Sequence, residues 1–356
     1  MSENKVSAIV DLLRTDILGG KCAPGSALPS VKMLCRRFGV SHLTAVKAVE
    51  SLKRLGLVKC RNGVGTFVAR RMTKVGLIMP MVTVKAEIYP PICQEFSRIC
   101  MERGVSIDFV DISSVCPDRQ RAVVVSMARR MVADGVSGVV FHPVDFGDNA
   151  LKTNREVMHI FKAADIPLVI LDSDVEVAPG DDRFDFVGVD NLEIGQFAGR
   201  HVIERGARKI AFAVWRDMND NVRRRLAGLM SAIAENRDAK LIGTHIVQHG
   251  EAQLAKCWKA HLPDAIVCAS DMVAAHVIKV LGRMGKQCPR DVIVTGVNDV
   301  EIATLVSPTL TTVRQPSKAI ASTAFETLLW RLDNPDAETR RIMVAAELVV
   351  RESTAR

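Results

Sequence analysis

The sequence lacks the features that mark membrane or secreted proteins. Its apolar runs stay below the ~18 residues that a membrane-spanning helix requires. The first residues, MSENKVSAIVDLL, carry acidic side chains and no apolar block of the signal-peptide kind. We therefore expect a protein that works in the cytoplasm and has no membrane partner.

Patterned cysteines are absent as well. The nine cysteines are scattered along the chain, and none forms a CxxC pair. A disulfide framework or a zinc site needs tighter and more regular spacing. We expect reduced thiols that pack as small apolar residues, and no metal site.

Signatures of catalysis are also missing. The eight histidines lie outside HExxH-type metal motifs, and the chain has neither a nucleophile elbow nor a phosphate-binding loop. The sequence therefore predicts no enzyme, no catalytic residue and no cofactor.

Positive charge is concentrated at the start of the chain. Residues 1–73 carry 13 lysines and arginines against 4 acids, whereas the remaining 283 residues carry 35 against 36. Such asymmetry is typical of a nucleic-acid-binding module joined to a neutral one, although a merely solvated basic domain would show it too. A length of 356 residues also exceeds one ordinary core, so two or three domains are expected.

The basic segment has the pattern of a small helical domain. Apolar residues recur at helical spacing before Gly19-Gly20, at Val6, Ile9, Val10, Leu13 and Ile17. Two short helices follow, the first capped by Ser30 and ended by Gly39, the second capped by Ser41, which predicts a helix–turn–helix. Strand-like residues around Asn62-Gly63 then predict a β-hairpin, or wing.

Residues 5–69 resemble the GntR family of bacterial regulators. The resemblance rests on LPS at 28–30, FGVS at 38–41 and GTFVA at 65–69, together with Thr44, Ala48 and Gly56-Leu57. It implies DNA contacts from the LPS helix, the start of the recognition helix and the wing. The DNA-binding residues implied in this way are Ser30, Lys32, Ser41, His42, Thr44, Arg61, Gly63 and Gly65.

The segment departs from that family after LPS, where Val31-Lys32 replaces the usual Glu-Arg, and at two positions of the second helix. His42 and Val46 stand where the family often carries arginine, and arginine is the commonest reader of guanine. Lys32 and Lys47 still supply positive charge for phosphates, so we include Lys47 among the DNA-binding residues. We expect DNA binding with an altered base preference.

From residue 75 the pattern changes to short apolar runs that alternate with amphipathic helices. The runs are 75–80, 105–112, 137–143, 166–172, 186–190, 209–215, 265–270 and 292–298. The helical stretches are 90–103, 119–134, 154–164, 191–204, 222–236, 271–284 and 317–331. Such alternation predicts parallel α/β sheets, and this number of units predicts two lobes with a ligand cleft at the strand ends.

Residues 74–352 resemble the sensor domain of the LacI/GalR family, which is akin to periplasmic sugar-binding proteins. The motifs keep the family's order: VGVDNLEIGQFAGRHVIERGARKIAFA, RLAG at 225–228, AIVCASDMVAAHVI, DVIVTGVNDVEIA and SPTLTTVRQP. The resemblance implies ligand-binding roles for Tyr89, Ser173, Arg225, Ser270, Asp271 and Asn298.

Two aromatic residues follow predicted strand ends, and sugar sites often place a ring beneath the ligand. Phe146 and Trp215 are therefore stacking candidates, with core packing as the alternative for Trp215. A helix-capping role is the alternative for Asp271.

The combined pattern predicts three parts. Residues 1–70 form a winged helix–turn–helix DNA-binding domain, 71–74 a linker, and 75–356 a two-lobed effector-binding and dimerisation domain. The arrangement is similar to the arabinose-responsive repressor family. It implies a homodimeric repressor that binds double-stranded operator DNA and senses a small polar effector, a sugar or a derivative. The alternatives are a sensor that serves only dimerisation, and a sugar-binding protein that does not act on DNA.

Overall fold

The chain folds into two compact units. One comprises Met1–Met72 with Leu329–Asp336, and the other Thr73–Leu328 with Ala337–Arg356. The computed structural model describes every residue except 1, 24, 62, 70–71, 81–87, 113–116, 146–148, 174–183, 217 and 356.

The smaller unit contains the basic segment, which we call the head. Its helices are α1 (Ser2–Leu18), α2 (Val31–Phe38) and α3 (His42–Arg54), and its strands are β1 (Val58–Arg61) and β2 (Gly65–Val68). The three helices and the hairpin share one core, to which α1 contributes Leu13, α2 Leu34, α3 Leu52 and β1 Val58. The predicted winged helix–turn–helix is confirmed.

The rest of the chain alternates strands and helices. Its strands are β3 (Lys74–Met79), β4 (Ser106–Asp111), β5 (Gly138–Phe141), β6 (Leu168–Leu171), β7 (Asp185–Gly188), β8 (Lys209–Val214), β9 (Lys240–Ile246), β10 (Ala265–Cys268), β11 (Ile293–Asn298), β12 (Thr311–Arg314), β13 (Arg341–Met343) and β14 (Glu347–Val349). Its helices are α4 (Tyr89–Glu102), α5 (Pro117–Ala133), α6 (Ala150–Ala163), α7 (Asn191–Glu204), α8 (Asp220–Ala234), α9 (Glu251–Ala260), α10 (Asp271–Arg283), α11 (Ile302–Leu305) and α12 (Ser317–Asp333).

These strands form two sheets of six, one in each lobe. The first lobe holds the order β13-β7-β6-β5-β3-β4, with every pair parallel. The second holds β14-β12-β11-β10-β8-β9, in which only the β12–β14 pair is antiparallel. The predicted two-lobed α/β architecture is confirmed. Among the described residues, no helix has the length and hydropathy to cross a bilayer.

Four of the described strands and two of the described helices were not predicted from the sequence. The strands β9, β13 and β14 lie at sheet edges, and an edge strand need not be a continuous apolar run. The strand β12 begins with Thr311 and Thr312, which are polar in sequence yet fully buried in the sheet. The helices α9 and α11 are short, so their periodicity is weak.

Candidate DNA interface and effector site

Two capping serines and a glycine set the limits of the helix–turn–helix: Ser30 precedes α2, Gly39 follows it, and Ser41 precedes α3. The Ser30 hydroxyl accepts a hydrogen bond from the Met33 backbone N–H at 3.3 Å, and Ser41 does the same for Thr44 at 3.3 Å. Gly39 ends α2 with φ of 60°, a left-handed conformation that side chains disfavour. These contacts confirm the predicted starts of both helices and the predicted end of α2.

The wing is tied to the segment that precedes α2. In the hairpin, Arg61 pairs with Gly65, and Gly65 has φ of 142°. The Leu28 backbone N–H also donates to the Thr66 carbonyl at 2.7 Å, and Ala27 bridges to Phe67. The segment that leads into α2 is therefore joined to the wing by backbone contacts within the head.

The predicted DNA-binding residues lie on the outside of the head. Those that are exposed are Ser30, Lys32, Ser41, His42, Lys47, Gly63 and Gly65, and Thr44 is half-buried. The side chain of Arg61 lies outside the described residues. Their direct contact with DNA stays a prediction.

In the first lobe, three side chains form a hydrogen-bonded chain at the carboxyl end of the sheet. His142 directly follows β5, Asp172 directly follows β6, and Tyr89 begins α4. The Tyr89 hydroxyl donates to Asp172 Oδ2 at 2.9 Å and lies 2.7 Å from His142 Nε2. Because the single phenolic hydrogen is directed at Asp172, the imidazole Nε2 donates to the Tyr89 oxygen.

Two asparagines at the start of α8 join the second lobe to the first. The Asn221 amide donates to Asp172 Oδ2 at 3.1 Å, and the Asn219 amide donates to Asp145 Oδ2 at 3.0 Å. The Ser173 hydroxyl holds the other Asp145 oxygen at 2.6 Å. The two lobes therefore meet through a polar surface, the cleft, which pairs carboxylates of the first lobe with amides of the second.

Arg225 lies in the second lobe, almost fully buried. Its Nε donates to Asn191 Oδ1 at 2.8 Å, and its Nη1 donates to the Ala269 carbonyl at 2.7 Å. The helices α7 and α8 approach closely at two glycines. A Cβ at Gly195 would lie 1.9 Å from the Arg225 carbonyl oxygen, and one at Gly228 would lie 1.9 Å from a carbonyl oxygen of α7. This crossing brings Arg225 to the start of α7.

Burial and charge oppose one another in the cleft. Burial lowers the pKa of His142, but Asp145 and Asp172 outweigh it and raise that pKa above its usual value. For Asp172 the directions are reversed. Burial raises its pKa, yet His142, Arg225 and Tyr89 together hold that pKa below its usual value. Burial and the two carboxylates raise the pKa of Tyr89. At neutral pH the Asp172 carboxylate is therefore ionised and the Tyr89 phenol is protonated.

Three buried side-chain oxygens lack a hydrogen-bond partner among the residues that the structure describes. They are Asp172 Oδ1, Thr295 Oγ1 and Gln315 Oε1, and all three residues are at most 3% exposed. A buried polar atom without a partner costs free energy, so such atoms are candidates for contact with a bound molecule.

Ser270 and Asp271 have structural partners. The Ser270 hydroxyl caps α10 by accepting from the Val273 N–H. The Asp271 carboxylate is fully buried, accepting from the Thr312 hydroxyl at 2.6 Å and from the Val300 N–H at 2.9 Å. Asp271 thus holds the loop after β11, and a ligand-binding role for either residue stays a prediction.

Asn298 and Trp215 also occupy the carboxyl ends of strands. Asn298 has φ of 118°, and its oxygen accepts from Gln315 Nε2 at 2.8 Å. Trp215 packs against the second-lobe core with its ring centroid 4.8 Å from that of His276, edge to face. Phe146 lies outside the described residues. Their contact with a ligand is likewise untested.

Several polar residues that line the cleft or contact the predicted ligand-binding residues were not predicted from the sequence: His142, Asp145, Asp172, Asn191, Asn219, Asn221 and Gln315. A signal for the first three was present. Each lies within four residues after a first-lobe strand, where ligands of α/β sheets bind. No local pattern indicated which asparagine of α8 would face them.

Two protein families match separate parts of the chain. Residues 5–68 match the bacterial regulatory proteins of the gntR family, and residues 200–354 match the periplasmic binding protein-like domain. The chain is a DNA-binding transcriptional regulator with a GntR-type head and a periplasmic-binding-protein-like sensor.

Curated relatives match the regulator along most of its length. The HTH-type transcriptional repressor PurR of Klebsiella pneumoniae strain 342 is 27% identical over 354 residues, covering 92% of this chain and 97% of that protein. PurR of Escherichia coli O1:K1 is 28% identical, with the same coverage.

Solved structures of LacI-type regulators share the fold. A ribose-bound LacI family regulator from Enterococcus faecium has a TM-score of 0.63 at 20% identity, covering 80% of the regulator and 99% of that chain. The CelR–cellobiose complex has a TM-score of 0.66 at 20% identity, covering 92% and 100%. At these identities the likeness establishes the fold alone.

Proposed function

We propose that the regulator is a repressor whose sensor binds a small, hydroxyl-rich molecule, a sugar or a derivative, in the cleft. The observation that carries the proposal is the buried Asp172 carboxylate, whose Oδ1 has no hydrogen-bond partner among the described residues and whose Oδ2 accepts from Asn221 of the second lobe. A ligand that binds this carboxylate and replaces or bridges the bond from Asn221 changes how the two lobes meet.

The chemistry of the cleft suits vicinal hydroxyl groups. Asp145 and Asp172 accept hydrogen bonds, and the second Asp172 oxygen has no partner among the described residues. Arg225 places a cation in the second lobe, and charged donors and acceptors together bind polyols strongly. The ribose and cellobiose in the related structures are ligands of the same chemical class.

The head acts on DNA through α3, which enters the major groove with its first turn. We propose that two chains pair through their sensors and place two heads on a two-fold operator. Ligand binding shifts the population between two arrangements of the heads and so changes operator affinity. The PurR relatives are named as repressors, which supports repression over activation.

A second candidate is a sensor that only dimerises. It is favoured by the direct pairing of both asparagines with both aspartates, because the cleft satisfies most of its own polar groups without a ligand. In that case no small molecule would stabilise the sensor.

Thermal shift of the full chain against pentoses, hexoses, sugar acids and nucleosides separates the two candidates. A ligand that binds the folded state raises the melting temperature by mass action. We expect a hit whose effect is lost in Asp172→Asn, which keeps the side-chain shape, and in Arg225→Ala. The control is Arg200→Ala, since Arg200 pairs with Glu235 at the surface.

The outcomes are distinct. A hit that stabilises Asp172→Asn and Arg225→Ala as much as the wild type would refute the proposed site. The absence of any hit in the panel would favour the sensor that only dimerises.

A further inference from the structure

The first turn of α3 presents a large apolar side chain to solvent. Leu43, the second residue of the helix, is 65% exposed. The opposite face of α3 is buried in the head core through Ala45, Ala48, Val49 and Leu52. Leu43 therefore lies on the outward face, together with Lys47 one turn later.

The hydroxyls beside Leu43 are already engaged. Ser41 Oγ accepts from the Thr44 N–H at 3.3 Å, and the two hydroxyl oxygens lie 2.9 Å apart. Because the cap uses these groups to hold the helix start, fewer of their hydrogen-bonding positions remain for a base. Three neighbouring residues, His42, Leu43 and Lys47, are exposed and remain available to contact a DNA groove.

The partner of this face is identified by charge and by groove chemistry. The segment 1–73 has an excess of 9 positive charges, which matches the phosphate backbone. A leucine side chain has neither donor nor acceptor, so it can read a base edge only by apolar contact. In the major groove the apolar group is the 5-methyl group of thymine.

We propose that Leu43 is a specificity-determining residue that reads a thymine through its 5-methyl group. The inference rests on the proposed entry of α3 into the major groove and adds a base and a contact to it. Lys47, on the same face, holds the neighbouring phosphate and sets the register of the contact.

The test begins with selection of binding sites from a random duplex library by the full-length regulator. Each thymine of the selected site is then replaced by uracil, which removes only the methyl group. We expect one replacement in each half-site to weaken wild-type binding about three- to fivefold, the effect of exposing one buried methyl group.

The second part of the experiment repeats the thymine and uracil measurements with Leu43→Ala. The variant should bind the thymine duplex as weakly as the wild type binds the uracil duplex, with no further loss on uracil. Leu18→Ala is the matched control, because Leu18 is 58% exposed at the end of α1, outside the helix–turn–helix. It should keep the full response to uracil.

Each other outcome overturns the inference. If Leu43→Ala responds to uracil like the wild type, another residue reads the methyl group. If no uracil replacement weakens wild-type binding, no thymine methyl group is read at all. If selection enriches no sequence, the proposed recognition of a specific operator is refuted, and the proposed role of Leu43 is refuted with it.

Discussion

Asn221 of the second lobe donates a hydrogen bond to Asp172 of the first, with 3.1 Å between Nδ2 and Oδ2. Both residues are at most 5% exposed, so the bond lies in a region of low dielectric constant. Asp172 Oδ2 also accepts from Tyr89, and this one oxygen therefore links three elements of the sensor.

Removing this amide should weaken the sensor. We expect Asn221→Ala to lower the free energy of unfolding by about 1–2 kcal/mol, because Asp172 loses a donor in a buried site. Thermal or urea unfolding of the full chain measures the change. Asn236→Ala is the control, since Asn236 bonds to a backbone N–H in a surface turn. Equal losses in the two variants would contradict the role assigned to the cleft bond.

His142 should make stability depend on pH. Its pKa is raised in the folded protein, where Asp145 and Asp172 outweigh burial. The stabilisation is complete below the unfolded pKa of about 6.5 and is lost as the pH rises through the raised folded pKa.

Comparison with His142→Gln isolates this contribution. Burial lowers the pKa values of His201 and His245, whose contributions have the opposite sign and are common to both proteins. The stability advantage of the wild type over the variant should be larger at pH 6 than at pH 8.5, by chemical denaturation. An advantage that grows with pH would refute the assignment.

The crossing of α7 and α8 should tolerate no added methyl group. In Gly195→Ala or Gly228→Ala the new Cβ would lie within 2 Å of a backbone oxygen, so the helices must separate. We expect a loss of about 2–3 kcal/mol in unfolding free energy, from overpacking. Gly282→Ala is the control, because a Cβ there meets nothing within 4 Å. That variant should be neutral or more stable, as alanine favours a helix.

The N-cap of α3 allows stability and DNA binding to be separated. Ser41→Ala should cost about 1 kcal/mol of stability, since the Thr44 N–H loses its acceptor. Ser41→Asp keeps an acceptor and a favourable charge at the helix start, so its stability should match that of the wild type. Its negative charge should nevertheless weaken DNA binding in a gel-shift titration. Unimpaired DNA binding by Ser41→Asp would place the start of α3 away from the phosphates.

The fold was largely predictable because its signals are local. Capping by Ser30 and Ser41 and the buried runs of β3 and β5 follow from spacing and composition within a few residues. Strand β12 was missed because its threonines are buried only through contacts made elsewhere in the chain, such as that of Thr312 with Asp271.

The candidate site was less predictable than the fold. Arg225 and Asn298 were named through family resemblance, whereas Asp145 and Asn219 come together across 74 residues of sequence. A pairing of this kind depends on how two sheets and their crossing segments are placed, and no local pattern encodes it.

The coupling of cleft and head is tested most directly by operator affinity measured at increasing concentrations of a ligand that binds the sensor. We expect saturating ligand to change the operator affinity of the full-length regulator by at least about fivefold, the lower range of allosteric coupling. Asp172→Asn should bind the operator but lose the response. An operator affinity that stays constant while the ligand saturates the sensor would contradict the coupling of cleft and head.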